Sequence, residues 1–168
     1  MPALDHPELV APPVVPALTP EVEVAAIDPD LADTAAFCEA YGVGLDISAN
    51  CVVLAAKYAA GPQLAACIVL ATTRADVNGL ARRTLGAKKA SFASMDEAVA
   101  ETGMAYGGIT PLGLPPSWPV LVDRAVTAQE RVVVGSGVRH SKLMVPSALL
   151  AALPGATVLD DLGLPPRT

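Results

Sequence analysis

The chain alternates between dense apolar blocks and short polar interruptions. Cys51 to Tyr58 and Leu64 to Thr72 are almost continuously apolar, with Ala59-Ala60-Gly61-Pro62 between them. Apolar runs bounded by turn residues predict two strands of an antiparallel hairpin, and the lack of polar positions predicts burial on both faces. Upstream, Leu31, Ala35, Cys38 and Tyr41 repeat at helical spacing after Asp28-Pro29. Asp as N-cap with Pro in the first turn predicts a helix from there, stopped at Gly42 or Gly44. Asp76 caps a further predicted helix that runs through Leu80 and Leu85 to Gly86, and Lys88 to Phe92 predicts a short strand. Ser94 and Glu97 form a capping box at the head of a helix that ends at Gly103. Val120 to Val126 and Arg131 to Val134 predict a second hairpin across Thr127-Ala128-Gln129-Glu130. Lys142 to Val145 predicts a strand, Ser147 caps a last helix through Leu153, and Ala156 to Leu159 predicts an edge strand. Helices alternating with hairpins predict an α+β (mixed) fold with a mixed sheet, not a regular parallel array.

Two stretches break this pattern. Gly107-Gly108-Ile109-Thr110-Pro111-Leu112-Gly113-Leu114-Pro115-Pro116 is long for a loop in a compact domain and too apolar for a tether. Its prolines fix φ and its glycines permit close backbone approach, which predicts a rigid loop whose peptide groups line a pocket. Residues 1–20 carry six prolines and predict an extended or disordered segment, with Val10, Val14 and Val15 able to drape over the core. A single domain is expected over residues 21–168.

Composition adds limits. Aromatic residues make up 4% of a chain that is 52% hydrophobic, so the core must be built from Ala, Val and Leu. The net charge of −6 argues against nucleic acid, but its distribution does not. Residues 1–56 hold nine acids and no Lys or Arg, whereas the remainder holds all eleven bases and eight acids. That asymmetry permits an RNA-facing side on an acidic protein. The apolar runs are too short for a membrane span and the N-terminus has no basic n-region, so a cytoplasmic protein is expected. Cys38, Cys51 and Cys67 are widely spaced with no Cys-x-x-Cys, so no metal and no cofactor are expected and the cysteines read as small buried hydrophobes.

Thr102-Gly103, Gly107-Gly108-Ile109-Thr110-Pro111-Leu112-Gly113 and Val120-Leu121-Val122-Asp123 together resemble the YbaK/EbsC family, which includes the editing domain associated with prolyl-tRNA synthetase. The family's Gly-x-x-x-Pro pocket loop is matched by Gly107 and Pro111. The resemblance extends over Asp76-Val77-Asn78, Gly86-Ala87-Lys88-Lys89 and Val134-Gly135-Ser136-Gly137, or roughly residues 45 to 160 in order. It implies a sheet curled toward a barrel with packed helices. It also implies a trans-editing deacylase that hydrolyses mischarged aminoacyl-tRNA, with the tRNA acceptor end as partner and an aminoacyl-tRNA synthetase beside it.

Ester hydrolysis needs a placed water, donors aimed at the developing oxyanion, and a pocket for the amino acid. Backbone groups of Gly107, Gly108 and Pro111 can do the positioning, with Ile109 and Thr110 on the substrate side, and the substrate's ribose hydroxyl can help place the water. Asp123 is either a turn residue bonded to its own backbone or, by the resemblance, an acid beside the pocket. Ser136 and Gly137 can meet the substrate amine or ribose, or stabilise a turn. Lys142 and Arg139 are candidates for phosphate near the tRNA end, or for a solvated edge. The family typically carries a lysine in the early strand, facing the pocket. Here the matching place, near Val53, is apolar. Lys57 lies four residues on, on the same face but roughly 13 Å away. Asn50, Thr73 and Arg74 are the other residues able to replace the missing cation or donor. The alternative function is a module that binds an aminoacyl end, a nucleotide or an amino acid without hydrolysis. A third reading is an interaction protein docking through its Pro-rich segment.

Overall fold

The long apolar hairpin is the centre of the molecule. A computed structural model describes residues 1–167, so Thr168, the last residue of the domain expected over 21–168, lies outside the described residues. In chain order the elements are β1 (Glu23–Ala26), α1 (Thr34–Tyr41), β2 (Ala49–Tyr58), β3 (Gly61–Leu70), β4 (Arg74–Ala75), α2 (Arg82–Leu85), β5 (Lys89–Phe92) and α3 (Met95–Thr102). Then follow β6 (Val120–Asp123), α4 (Arg124–Thr127), β7 (Arg131–Gly135), β8 (Ser141–Pro146), α5 (Ser147–Ala151), β9 (Ala156–Leu159) and β10 (Gly163–Leu164).

Five strands form the main sheet in the order β5-β2-β3-β6-β9. The β2–β3 and β2–β5 pairs are antiparallel, whereas β6 runs parallel to both β3 and β9, so the sheet is mixed. A second sheet, β1-β8-β7, is antiparallel throughout, and β4 pairs with β10. A single bridge, Ser48 to Val133, connects the two larger sheets. The sheets stay separate, so the curl expected from the family does not close into a barrel. As the apolar runs predict, β3 is buried on both faces. Ile68 and Leu70 pack into the main core between the sheets, with Val24, Val132 and Leu143. Cys67 and Val69 pack on the other face against Val77, Ala81 and Leu162.

Several expectations are corrected. Val120 to Val126 does not pair with Arg131 to Val134. The strand stops at Asp123, a helical turn follows, and β7 pairs with β8 instead. All four residues of β6 are buried, and three apolar residues before an Asp carry no mark of their partner. The helix expected from Asp28 is split. Asp28 accepts from the Asp30 N–H to close a 3₁₀ turn over Pro29–Leu31, and α1 begins after Asp33. Ser147 does not cap α5. Its hydroxyl donates to the Thr127 and Gln129 carbonyls, tying α5 to the β6–β7 connection. The first twenty residues are neither extended nor disordered: they form 3₁₀ turns at Ala3–Asp5, Pro7–Leu9 and Pro12–Ala17. Ala3, Val10, Ala11 and Val14 are buried in the main core, whereas Val15 is exposed.

Candidate active site

The cleft of interest opens where β5 leaves β2. The turn after β2 sets its pairing so that even-numbered residues bond to β3 and odd-numbered ones face β5. The Ala93 N–H still reaches the Val53 carbonyl at 3.0 Å, and beyond that point β5 has gone. The N–H and C=O of Cys51 face this same edge, beyond the stretch from Leu54 to Lys57 that β5 covers. This bare stretch of sheet edge faces a cleft of about 430 Å³.

The cleft has two poles. Its apolar pole is made by Val53, Ala93, Ala98 and Ile109. The polar pole is made by Asp33 and Thr34 at the start of α1, Asn50 on β2 and Lys142 on β8. Thr34 Oγ1 donates to Asn50 Oδ1 at 2.6 Å, which leaves the Asn50 amide nitrogen available. Lys142 Nζ stands 5.3 Å from the centre of the Phe37 ring, within cation–π range. Burial pushes its ammonium below the usual lysine range. The neighbouring Cys38 and Asp33 pull it back up, and Arg139 pushes it further down.

The pocket loop is held from behind. The Gly108 N–H donates to the Ala105 carbonyl at 2.9 Å, and its own carbonyl accepts from the Gly137 N–H at 2.7 Å. Arg139 reaches under the loop, donating from Nη1 to the Tyr106 carbonyl at 3.3 Å and from Nη2 to the Pro29 carbonyl at 3.2 Å. Gly107 has φ +84°, and a Cβ there would collide with the Arg139 guanidinium. Only glycine combines this conformation with this approach. Among the described residues the Gly107 N–H and C=O have no partner, so both remain available at the cleft wall.

Of the residues singled out from sequence, Asn50, Gly107 and Ile109 line the cleft. Gly108 and Gly137 form the hydrogen-bonded support behind it. Thr110 is buried, and its hydroxyl has no partner among the described residues. Ser136 is buried and donates to the Ser141 and Val138 carbonyls, so its hydroxyl is engaged in the turn. Pro111 lines a separate hollow against Pro13, Pro16 and Leu149. Asp123 lines neither space. It lies beside Thr73 and Gly163, where burial raises its pKa and the surrounding amides of Gly163, Leu162, Ala125 and Arg124 oppose that shift. Arg74 is exposed on β4. Lys57 is exposed at the far end of β2, opposite Pro62 and Lys89. The polar wall thus includes Asp33 and Thr34, which sequence reasoning missed. Strand alternation gives a signal for Lys142, because it places Lys142 on the face opposite buried Leu143. What lies on that face is set by tertiary packing of α1.

The model of the aminoacyl-tRNA editing domain family matches residues 28–153. The chain belongs to this family. A crystal structure of a candidate trans-editing enzyme for prolyl tRNA synthetase superposes with a TM-score of 0.70 at 24% identity, covering 83% of this chain and 85% of that one. The hypothetical protein APE2540 superposes with a TM-score of 0.75 at 23% identity, covering 88% of this chain and 93% of its own. At these identities the likeness establishes the fold. The editing domain's family match begins after the Pro-rich segment, which is therefore outside the matched residues although its side chains enter the core. Among the described residues no three His, Cys, Asp or Glu side chains gather to hold a metal ion. No helix among them is long and apolar enough to cross a membrane.

Proposed function

We propose that this editing domain hydrolyses the ester of mischarged aminoacyl-tRNA in the cleft beside Gly107. Water adds its oxygen to the carbonyl carbon, the bond from that carbon to the ribose oxygen breaks, and the ribose oxygen leaves with a proton. The apolar pole takes the side chain of a small or medium amino acid. The ribose hydroxyl beside the ester helps hold the water. The free N–H of Gly107 and the edge-facing N–H of Cys51 are donors for the oxyanion, and donors fixed before the reaction are the ones that lower a barrier of this kind. Lys142 takes the place of the cation that the apolar Val53 position lacks. Pro111 and Gly108 keep the loop rigid, and Asp123 serves as a support for the β6–α4 corner.

One observation carries this reading. A half-buried lysine, unpartnered backbone groups and an apolar pocket converge on one cleft in a chain of the editing family. The test is deacylation of tRNAs mischarged with Ala, Ser, Cys and Pro by the full chain. Wild type is expected to exceed the spontaneous rate on at least one. Gly107→Ala keeps the N–H but strains the φ +84° backbone that aims it, and is expected to reduce turnover on that substrate by about 10²-fold, the scale of an oxyanion donor taken out of position. No turnover on any substrate, with binding of the aminoacyl end retained, would favour the module that binds without hydrolysis. Val53 speaks for that reading, because it fills the expected lysine position with a buried side chain packed on Ala98 and Trp118.

A further inference from the structure

The following rests on the editing reading of the cleft and adds where the RNA lies. The chain has six aromatic residues, and two of them stand exposed at the mouth of this one cleft. Phe92 is 68% exposed and Tyr106 53% exposed. They come from different elements, the end of β5 and the turn before Gly107. Tyr41, also exposed, is accounted for by its contact with Phe37 and its hydrogen bond to the Asp28 N–H. Among the described residues the Phe92 and Tyr106 rings have no aromatic partner. The Tyr106 backbone is fixed by Arg139, so the ring projects from a held support.

From Phe92 the same edge strand leads back to Lys89, which pairs directly with Lys57 across β2. Lys88 adjoins them, its N–H donating to the Lys57 carbonyl at 2.8 Å. Like charges directly opposite each other destabilise a sheet. Among the described residues none of the three lysines has an acidic partner. Lys89 stands three residues from Phe92, about 10 Å at strand rise, and alternation sets the two side chains on opposite faces, so a strand of RNA would cross this sheet edge between them. A sequence-tolerant single-strand site has these parts, namely flat rings for bases and a cationic track for phosphates.

We propose that Phe92 and Tyr106 form a stacking subsite for the 3′-terminal adenine of the tRNA, and that Lys57, Lys88 and Lys89 take the phosphates upstream of it. The subsite would hold the terminal nucleoside so that its ester enters the cleft. The test uses the full chain and two uncharged RNA hairpins that end in single-stranded CCA, one with the terminal adenine and one abasic at that nucleotide. Binding is read by fluorescence anisotropy. Wild type is expected to prefer the adenine-ended RNA by roughly 5- to 100-fold, the scale of one base stacked on aromatic side chains. Phe92→Ala and Tyr106→Ala should each reduce the preference, and the double variant should remove it. Phe92→Trp should restore it, and its indole emission should be quenched by the adenine-ended RNA only. Equal binding of the two RNAs by wild type, a preference that survives in the double variant, or no binding of either RNA would overturn the proposal. Deacylation measured in parallel separates it from the editing reading. Turnover without base preference removes the subsite and leaves the enzyme, whereas base preference without turnover leaves the subsite and removes the hydrolysis.

Discussion

At the scale of single residues, Lys142 shows a charge buried at the expense of stability. Its ammonium is half-buried, and burial lowers its pKa from the ordinary value of 10.5. The unfolded chain therefore holds this proton more tightly than the folded one, so folding is disfavoured while the group must stay charged. Between the lowered pKa and 10.5 the unfolded state binds more protons, and stability rises with pH across that window. Lys142→Met is thus expected to raise Tm at pH 7, with the gain shrinking as pH climbs toward 10.5. The same variant should lose turnover on mischarged tRNA. Thermal melts at several pH values, with deacylation at pH 7, check both halves. A fall in Tm at pH 7 would mean that the Phe37 contact outweighs the burial. Cys51 illustrates the opposite balance. Burial pushes its thiol up to about 12, so it remains neutral in the cleft wall and acts as an apolar surface.

At the scale of elements, what could be read from the sequence was what local rules decide. The β2–β3 hairpin was legible because two long apolar runs flank a turn. The α3 helix was legible because Ser94 and Gly103 mark its ends, and Ser94 Oγ does accept from the Glu97 N–H. The parallel position of β6 between β3 and β9 was not legible, because nothing in Val-Leu-Val-Asp distinguishes one buried neighbour from another. For the site, the backbone loop at Gly107 and Ile109 announced itself by composition, and Asn50 by its place on the early strand. Asp33, Thr34, Phe92 and Tyr106 did not, since what unites them is the meeting of α1, β5 and the loop in space. The Pro-rich segment misled for a physical reason. Proline removes donors and suggests extended chain, yet three short turns need few donors and bury Ala3, Val10, Ala11 and Val14. This strap also backs the site. The Ala11 N–H donates to the Ser136 carbonyl at 3.0 Å, and a Cβ on Gly113 would strike the Pro13 backbone. Val14 is fully buried, so Val14→Ala should destabilise by about 1–3 kcal/mol in urea or thermal unfolding. A change within a few tenths of a kcal/mol would show that the strap lies on the core without stabilising it.

At the scale of the whole molecule, net charge and local charge make opposite predictions, and salt tells them apart. With −6 overall, a protein governed by its total charge would repel RNA, and added salt would strengthen binding by screening that repulsion. The acid of the cleft wall is not placed to do this. Asp33, the one acid in the cleft wall, stands by Asn50 at the polar pole, and Asn50 is seven residues from Lys57 along β2. At strand rise that is about 24 Å, several times the screening length of about 8 Å at physiological salt. Glu97 and Glu101 are nearer, since they share a hollow with Pro62, the cross-strand partner of Lys57, so the salt dependence reads how far the three lysines prevail over them. If the three lysines each neutralise a phosphate, affinity for a single-stranded end falls with a logarithmic slope of about −2, or roughly 15- to 20-fold between 50 and 200 mM salt. Replacing Lys88 and Lys89 with Glu should flatten or invert that slope while leaving adenine preference at fixed salt in place, because the rings, not the charges, read the base. Binding that strengthens with salt in the wild type would mean that total charge prevails, and the tRNA end would then have to approach the cleft from the side of α1 and Arg139.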